Sequence, residues 1–247
     1  MSSCIIICNG KSLNNVPREF LKLFPTFGTN RIYMLDGGFT PTYYVCVNEN
    51  VLSQYQDDIE KLECIKYLPM KWCKTDYDHA ISFTNEHRFS RDCDEKSVWQ
   101  GHTVTYVCLQ LAYRMRFRTV FLVGLDHSYE FQGKPDQVLI SEGKDKNHFD
   151  PDYFADGAKW QAPNLEMSEK AYQMAEDVFR SENKRIINLT PGSKLDVFEK
   201  GDVYYLKDSG KTSGLERPVR NTNVVWADER GAIGSYDLET RRKSWIK

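Results

Sequence analysis

The chain has 247 residues, of which 40% are hydrophobic and 28% are charged, and its formal net charge at pH 7 is −2. This composition is typical of globular proteins and excludes the disordered and fibrous classes. A dedicated nucleic-acid binder would carry a basic excess, whereas 35 acidic residues here face 33 basic ones. This charge balance argues against nucleic-acid binding. No apolar run approaches the ~20 residues that cross a bilayer, so we do not expect a membrane span either.

The start of the chain and its cysteines indicate the compartment. Residues 1–10 have no basic region followed by a small-residue cleavage site, so they do not resemble a signal peptide. The seven cysteines are odd in number, and none forms a Cys-x-x-Cys pair with histidine partners, which argues against zinc. We expect buried, reduced thiols and a soluble cytoplasmic protein, with homo-oligomerisation left open.

The first part of the chain is rich in short apolar runs that are typical of strands. These predicted strands are Cys4–Cys8, Thr26–Thr29, Tyr43–Val47 and Cys64–Leu68. The first run has no polar residue, as expected for a parallel strand that is covered on both faces. Residues 51–62 alternate as a helix does. Residues 71–98 are polar and irregular, and we interpret them as a long loop or an inserted lid.

Helical spacing of apolar residues occurs twice in the second part of the chain. Residues 103–117 and 166–182 both show it. A short apolar strand comes after each helix, Thr119–Val123 after the first and Arg185–Leu189 after the second. This alternation predicts an α/β fold of the Rossmann-like, doubly wound kind, with a mostly parallel sheet and helices on both faces.

The predicted domain organisation is one nucleotide-binding α/β domain over residues 1–205 and a polar tail over residues 206–247. Within the domain, the polar segment 130–163 is a second candidate for a lid-like insertion. The tail is rich in Gly, Ser, Thr and Asp, and one strand, Asn223–Trp226, is expected in it.

Polar side chains lie just past the predicted strands, at the points where the strands end. They are Asn9, Asn30, Asn48, Asp126 and Thr190. The carboxyl ends of parallel strands meet at one edge of a sheet, which is the usual ligand crevice, so we expect a binding site there. Gly10 permits a tight turn after the first strand, and Ser12 can cap the next segment, in a place where α/β folds bind phosphates. Asparagine is also a common turn former, which is the alternative interpretation of this pattern.

Two segments contain candidates for acid–base chemistry. A neutral imidazole at His148 would serve as a general base near pH 7, unless it only binds a neighbouring carboxylate. Asp126 and His127 come directly after a buried strand, where an aspartate orients a base, binds a metal or caps the next segment. His102 precedes a predicted helix, where it could stabilise phosphate charge or simply pack.

Several blocks of the sequence resemble one protein superfamily. It includes archaeal 6-hydroxymethylpterin diphosphokinase-like proteins and bacterial motility accessory factors. The resemblance covers most of residues 4–200. The matching blocks are Ile7–Leu13, Phe27–Tyr33, Pro41–Asn48, Gly101–Tyr129 and Ile187–Phe198.

More distantly, the chain is similar to the single-domain bacterial sialyltransferases that use CMP-activated sugars. That similarity implies that asparagines after the first strands contact the nucleotide, that the first turn contacts its phosphate, and that the helix start flanks the donor. These positions and two tyrosines, Tyr129 and Tyr153, make up the expected binding residues. The full set is Asn9, Gly10, Ser12, Asn30, Asn48, Thr103, Tyr129 and Tyr153. The catalytic residues expected are His148, Asp126 and His127.

The sequence departs from these patterns at three places. A small residue, often glycine, is usual where His102 stands, and a glycine is usual at Arg116. The sialyltransferase general base is a histidine shortly before the penultimate helix, but residues 159–164 contain none. His148 is the nearest histidine, at a different spacing.

Three functions are compatible with these observations. The first is a glycosyltransferase that moves a sialic-acid-like nonulosonate from a CMP donor to a glycan acceptor in cell-surface glycan synthesis. Amide and backbone donors serve its single phosphate, so it requires no cofactor. The second is an Mg-ATP-dependent pyrophosphokinase acting on a pterin, with Asp126 as a magnesium ligand. The third is a non-catalytic nucleotide-binding relic. Fold analogy alone does not separate these three functions, because one fold hosts many chemistries.

Overall fold

A computed structural model describes residues 2–76, 78–92, 97–212, 223–227, 233–237 and 242–245. The chain divides into two compact units, Met1–Leu206 and Lys207–Lys247.

The first unit contains eleven strands within its described residues. They are β1 (Ser3–Ile7), β2 (Thr26–Thr29), β3 (Tyr43–Val45), β4 (Ile65–Pro69), β5 (Asp78–Phe83), β6 (Ser97–Val98), β7 (Thr119–Val123), β8 (Val138–Ile140), β9 (Lys159–Gln161), β10 (Arg185–Asn188) and β11 (Glu199–Lys200). Nine of them form one sheet in the order β11-β10-β7-β1-β2-β3-β4-β5-β6. Every neighbouring pair in this sheet is parallel. β8 and β9 form a separate antiparallel hairpin.

Five α-helices occur among the described residues. They are α1 (Glu49–Gln54), α2 (Gln56–Glu60), α3 (Val104–Arg114), α4 (Leu165–Ser181) and α5 (Tyr205–Thr212), which spans the boundary between the units. The two predicted long helices are confirmed as α3 and α4. The helix expected over residues 51–62 is broken at Tyr55, whose φ of −129° is not helical. None of the described helices is long and apolar enough to cross a membrane.

Strand β1 lies at the centre of the sheet and is buried on both faces. Its residues 4–7 are all fully buried. Ile5 and Ile7 pack on one face with Leu13 and Phe20, from short 3-10 helices that come after β1. On the other face, Cys8 contacts α3. The uninterrupted apolar sequence of β1 therefore reflects burial on two sides, as expected for a parallel strand.

The sheet extends on both sides of β1. Strands β2 to β6 add on one side, whereas β7, β10 and β11 add on the other. The direction of winding thus changes between β1 and its neighbour β7. The loops after these two strands diverge at such a point and leave a crevice between them. The predicted Rossmann-like, doubly wound α/β fold with helices on both faces is confirmed.

The interpretation of residues 71–98 as a long loop or an inserted lid is wrong. Their described part contains β5 and β6, which extend the sheet instead of forming one long loop. The sequence concealed β5 because Ile81 is its one buried side chain, so the strand has no apolar run. Residues 130–163 contain the β8–β9 hairpin and several turns.

The second unit contains an antiparallel sheet within its described residues. Its strands are β12 (Asn223–Ala227), β13 (Ile233–Asp237) and β14 (Arg242–Trp245), in that spatial order. β12 corresponds to the strand expected at Asn223–Trp226. The two others were not expected, because their sequences mix charged and small residues without an apolar run.

We predict that Ile6→Ala lowers the free energy of unfolding by about 2–5 kcal/mol, since it leaves a cavity in the buried centre of the sheet. Ile140→Ala is the matched control, because Ile140 is 66% exposed, and it should change stability by less than about 0.5 kcal/mol. Urea unfolding followed by circular dichroism measures both. Equal effects of the two substitutions would contradict the central position of β1.

Candidate functional site

A cavity of about 620 Å³ lies at the carboxyl edge of the sheet. Its walls include the residues just past β1, β2, β3 and β7, together with the first residues of α3 and α4. Four of the five strand-end residues singled out in the sequence line it: Asn9, Asn30, Asn48 and Asp126. The fifth, Thr190, lies outside this lining, and its hydroxyl accepts a hydrogen bond from the amide of Leu125.

Asp126 holds the turn after β1. Its carboxylate accepts a hydrogen bond from the Ser12 amide at 3.1 Å and another from the Ser12 hydroxyl. A Cβ atom at Gly10 would lie 2.5 Å from Cγ of Asp126, so glycine is needed for this close approach. Ser12 does not line the large cavity, contrary to the expected phosphate contact, because its polar groups are committed to Asp126. Asp126 is therefore an anchor of the site.

Asn9 lines the cavity and has an unpaired acceptor. Its Nδ2 donates to Oγ1 of Thr29 at 2.8 Å, and Thr29 in turn donates to the carbonyl of Ile7. Oδ1 of Asn9 is buried and has no hydrogen-bond partner among the described residues. Leaving a buried acceptor unpaired costs about 1–3 kcal/mol, so a hydrogen-bond donor that reached this atom would be bound favourably.

Asn30 and Asn48 have structural roles and also line the cavity. Asn30 adopts a positive φ of 48°, and its carbonyl accepts a hydrogen bond from the Tyr44 hydroxyl at 2.6 Å. Oδ1 of Asn48 caps α1 by accepting from the amides of Asn50 and Val51. In both asparagines Nδ2 has no protein partner within the described chain, so both remain donors to a ligand. Turn formation and binding are thus compatible here.

His148 and Asp145 form a buried dyad in the wall of the cavity. Nδ1 of His148 lies 2.8 Å from Oδ2 of Asp145, and their side chains are 10% and 4% exposed. With the proton assigned to Nδ1 by this contact, Nε2 is the basic ring nitrogen, and it has no protein partner among the described residues. A carboxylate that orients an imidazole in this way is the usual support of a general base.

Backbone amides fix the ionised form of Asp145. Its carboxylate accepts hydrogen bonds from the amides of Asn147, His148 and Phe154. Burial acts to raise the pKa of Asp145, but the hydrogen bond and charge of His148 and these amides outweigh burial, and the pKa is lowered. The carboxylate is therefore charged at neutral pH.

The segment that contains the dyad is hydrogen-bonded to the turn after β1. His148 pairs with Gly10 in an antiparallel bridge, and the amide of Phe149 donates to the carbonyl of Asn9 at 3.0 Å. Nδ2 of Asn14 donates to the carbonyl of Phe149 at 2.7 Å. The backbone of His148 and Phe149 is therefore held beside Asn9 and Gly10, although these residues are far apart in the sequence.

Tyr153 supports the dyad and does not line the cavity. Its side chain is fully buried, which corrects the expected substrate contact. Its ring stacks on His148 with centroids 4.0 Å apart and planes 7° apart. Its hydroxyl accepts a hydrogen bond from the amide of Arg31, whose guanidinium lies over the Tyr55 ring at 3.8 Å. Tyr129 does line the cavity, with its ring 6.1 Å from His148.

Two helix N-termini meet at the cavity. Thr103 caps α3 and also contacts the hydroxyl of Tyr172 at 3.2 Å, while Asn164 caps α4. Unpaired amides and the helix dipole favour a bound anion at such ends. The lining that the structure describes contains no Lys or Arg. Beside Thr105, burial raises the pKa of the Cys8 thiol to about 12, so it remains protonated.

His127 lines the cavity but is joined to α4. Its Nε2 lies 2.9 Å from Oε1 of Glu169, its side chain is 5% exposed, and its φ is 53°. This contact pairs Nε2 with a carboxylate, and Nδ1 has no protein partner among the described residues. His127 therefore positions the loop after β7 against α4.

His102 and Arg116 both adopt the left-handed backbone conformation, with φ values of 57° and 64°. From the resemblance, a small residue, often glycine, is expected at the first position and a glycine at the second, and glycine is the residue that this conformation favours. Nδ1 of His102 lies 3.2 Å from Asp136, which also accepts a hydrogen bond from Nδ2 of Asn164. Asp136 therefore connects the segment before β8 to the starts of α3 and α4.

Sequence reasoning missed three acidic residues of the site: Asp145, Asp136 and Glu169. The position of Asp145, three residues before His148, was an available signal. The other two pair with histidines more than thirty residues away in the chain, so no local pattern marks them.

These features define an open parallel α/β protein with a cavity where the direction of winding changes. In comparisons with known proteins, no family model, curated protein or solved structure matches the chain.

We predict that Gly10→Ala destabilises the protein by about 1–3 kcal/mol, because the added methyl group overlaps the carboxylate of Asp126. The same substitution made in an Asp126→Ala background should cost much less, because the overlapping group is then gone. Chemical denaturation of the four proteins in this cycle measures the coupling. Additive effects would show that Asp126 does not constrain Gly10.

We also predict that Asp145→Asn removes a stabilisation of about 1–3 kcal/mol that depends on pH. The pKa of Asp145 is lowered by folding, so its stabilisation is present above the ordinary Asp pKa of about 3.9 and is lost as the pH falls through the folded value. The stability gap between wild type and Asp145→Asn should therefore be constant near pH 7 and narrow below about pH 4. Asp57→Asn, an exposed change of the same charge, is the control.

Proposed function

We propose that this protein is a glycosyltransferase that takes a sialic-acid-like nonulosonate from a CMP donor. The observation that carries the proposal is the Asp145–His148 dyad, which is held beside Asn9 in the cavity wall. A base next to a polar nucleotide crevice suits transfer of a sugar to a hydroxyl acceptor. The distant sialyltransferase resemblance supplies the identity of the donor.

The nucleotide side of the cavity can recognise a donor through neutral groups. Oδ1 of Asn9 accepts a hydrogen bond, while Nδ2 of Asn30 and of Asn48 donate, which matches the mixed polarity of a ribose and a cytosine. The single phosphate of a CMP-sugar suits the helix N-termini at Thr103 and Asn164. The phosphate subsite then has one negative charge to compensate, whereas a nucleoside diphosphate sugar would place two there, and the sugar carboxylate lies outside this subsite.

In the proposed reaction, Nε2 of His148 takes the proton from an acceptor hydroxyl. The acceptor oxygen then forms a bond to the anomeric carbon of the sugar as the bond from that carbon to the phosphate oxygen breaks. CMP leaves with the bonding electron pair, and the amides at the starts of α3 and α4 stabilise its charge. Asp145 orients the imidazole and stabilises the imidazolium that forms.

The pterin pyrophosphokinase alternative assigns Asp126 to magnesium. Both carboxylate oxygens of Asp126 accept hydrogen bonds from Ser12, so this carboxylate already has a structural task. That commitment favours the transferase over the kinase.

The first test is binding. We expect CMP to raise the melting temperature without Mg²⁺, and at 100 times its Kd to stabilise the fold by about 2.7 kcal/mol. Asn9→Ala should weaken CMP binding at least tenfold, because the buried acceptor is lost, whereas Asn85→Ala, on the exposed surface, should not. A response to ATP that requires Mg²⁺, with none to CMP, would replace the proposal by the pyrophosphokinase.

The second test is turnover. With a CMP-nonulosonate and a panel of glycan acceptors, His148→Ala should lower kcat about 10²–10⁴-fold and leave the Kd of CMP unchanged. Asp145→Asn should lower kcat by less and shift its pH profile. His79→Gln, in β5, is the matched histidine control. CMP binding with no turnover, and no effect of His148→Ala on any rate, would favour the non-catalytic relic.

A further inference from the structure

A smaller pocket of about 130 Å³ adjoins the main cavity. It is large enough for several water molecules or for one phosphate or carboxylate group. The two cavities share four lining residues: Asp126, Ser128, Tyr129 and Asn147. The smaller pocket differs in having two lysines, Lys11 and Lys146, in its lining.

The two lysines extend from segments that the main site holds in place. Lys11 lies between Gly10 and Ser12, in the turn that Asp126 anchors. Lys146 is the residue directly after Asp145 of the dyad. Both ammonium groups are thus attached to well-fixed backbone, so the entropy lost on binding an anion is mainly that of the side chains.

The wall between the lysines is also held rigidly. Oδ1 of Asn147 accepts a hydrogen bond from the amide of Glu130 at 2.7 Å, and Nδ2 of Asn147 donates to the carbonyl of Glu130 at 3.1 Å. Asn147 immediately precedes His148, and the ring of Tyr129 lies 6.1 Å from the imidazole. The pocket is therefore next to the base that the proposed function requires.

The charged side chains that line the pocket differ in their protein contacts. Lys11 and Lys146 have no hydrogen bond or ion pair from their ammonium groups within the described chain. Of the two carboxylates in the lining, Asp126 is committed to Ser12, and Glu130 is exposed to solvent. Lysine is a compact cation that binds phosphate and carboxylate oxygens well. The pocket therefore has two exposed ammonium groups without a protein partner among the described residues, Glu130 as the carboxylate that competes for them, and Asp126, whose hydrogen bonds to Ser12 leave its charge in place.

We propose that this pocket binds one anionic group of the acceptor, so that the acceptor carries a phosphate or a carboxylate close to the hydroxyl that reacts. The assignment to the acceptor rests on the proposed function, because His148 is then the base that meets this hydroxyl. The anion site itself rests on the lysines alone. Acceptors without a negative charge would bind without this contact and would be used less efficiently.

Inorganic phosphate is the probe that tests the site. It is titrated into the CMP-saturated protein, so that the subsite for the donor phosphate is filled. We expect chemical-shift changes at the backbone amides of Ser12 and Asn147 in ¹H–¹⁵N spectra, with saturation. Lys11→Ala and Lys146→Ala should each weaken the phosphate Kd about tenfold, since each removes a charge-assisted hydrogen bond. Glu130→Gln should strengthen it a few-fold.

The matched control is the double variant Lys22→Ala/Lys134→Ala, which removes the same charge from exposed sites outside both cavities. It should leave the phosphate Kd unchanged, whereas Lys11→Ala/Lys146→Ala should nearly abolish binding. Equal phosphate binding in the wild type and in the Lys11→Ala/Lys146→Ala protein would overturn the proposal.

A non-transferable fluorinated CMP-nonulosonate separates the acceptor from the donor as the source of the anion. Phosphate that still binds when this analogue is bound supports an acceptor subsite. Displacement of phosphate by the analogue, but not by CMP, would assign the pocket to the donor sugar's carboxylate and overturn the acceptor assignment. Lysine-dependent phosphate binding in a protein that binds neither CMP nor the analogue would leave the anion site standing and remove the proposed function.

Discussion

The contact between Asp126 and the turn at Gly10 and Ser12 is the constraint on which the site depends. It joins the loops after β1 and β7, the neighbouring strands at which the chain changes its direction of winding. Glycine is required because the carboxylate occupies the space of a side chain. The backbone bond from the Gly10 amide to the Gly124 carbonyl at 2.9 Å joins the same two loops, so the carboxylate and the backbone together fix this wall of the cavity.

The dyad depends on the same turn. His148 bridges to Gly10, and Phe149 donates to the carbonyl of Asn9, so the segment with the base is registered on the end of β1. Tyr153 then fixes the plane of the imidazole by stacking on it. Backbone hydrogen bonds to the end of the central strand therefore maintain the position of this segment, which a general base would require.

The sequence predicted much of the fold and only part of the site, for physical reasons. Buried parallel strands such as β1 are continuously apolar, so they are visible in the sequence, whereas β5 near the edge of the sheet is half-exposed and is not. Asn9 and Asp126 were identified because strand ends converge at one edge of a parallel sheet. Tyr153 was expected to contact the substrate, but it is buried and stacks on His148. A sequence cannot show whether an aromatic ring faces a ligand or supports a residue that does. The partnership of His127 with Glu169 depends on helix packing, which leaves no local pattern.

The β8–β9 hairpin shows how such a protein could diversify. It is joined to the rest of the first unit by hydrogen bonds between Gln54 and Lys159 and by the ring of Trp160, which stacks on Phe154. Its outer face exposes Val138 and Ile140. The strand ends that line the cavity, by contrast, belong to the central sheet. Natural variation in the length and sequence of the hairpin can therefore accumulate without disturbing the strand ends. One half of the cavity is free to evolve new partners while the other half stays constant.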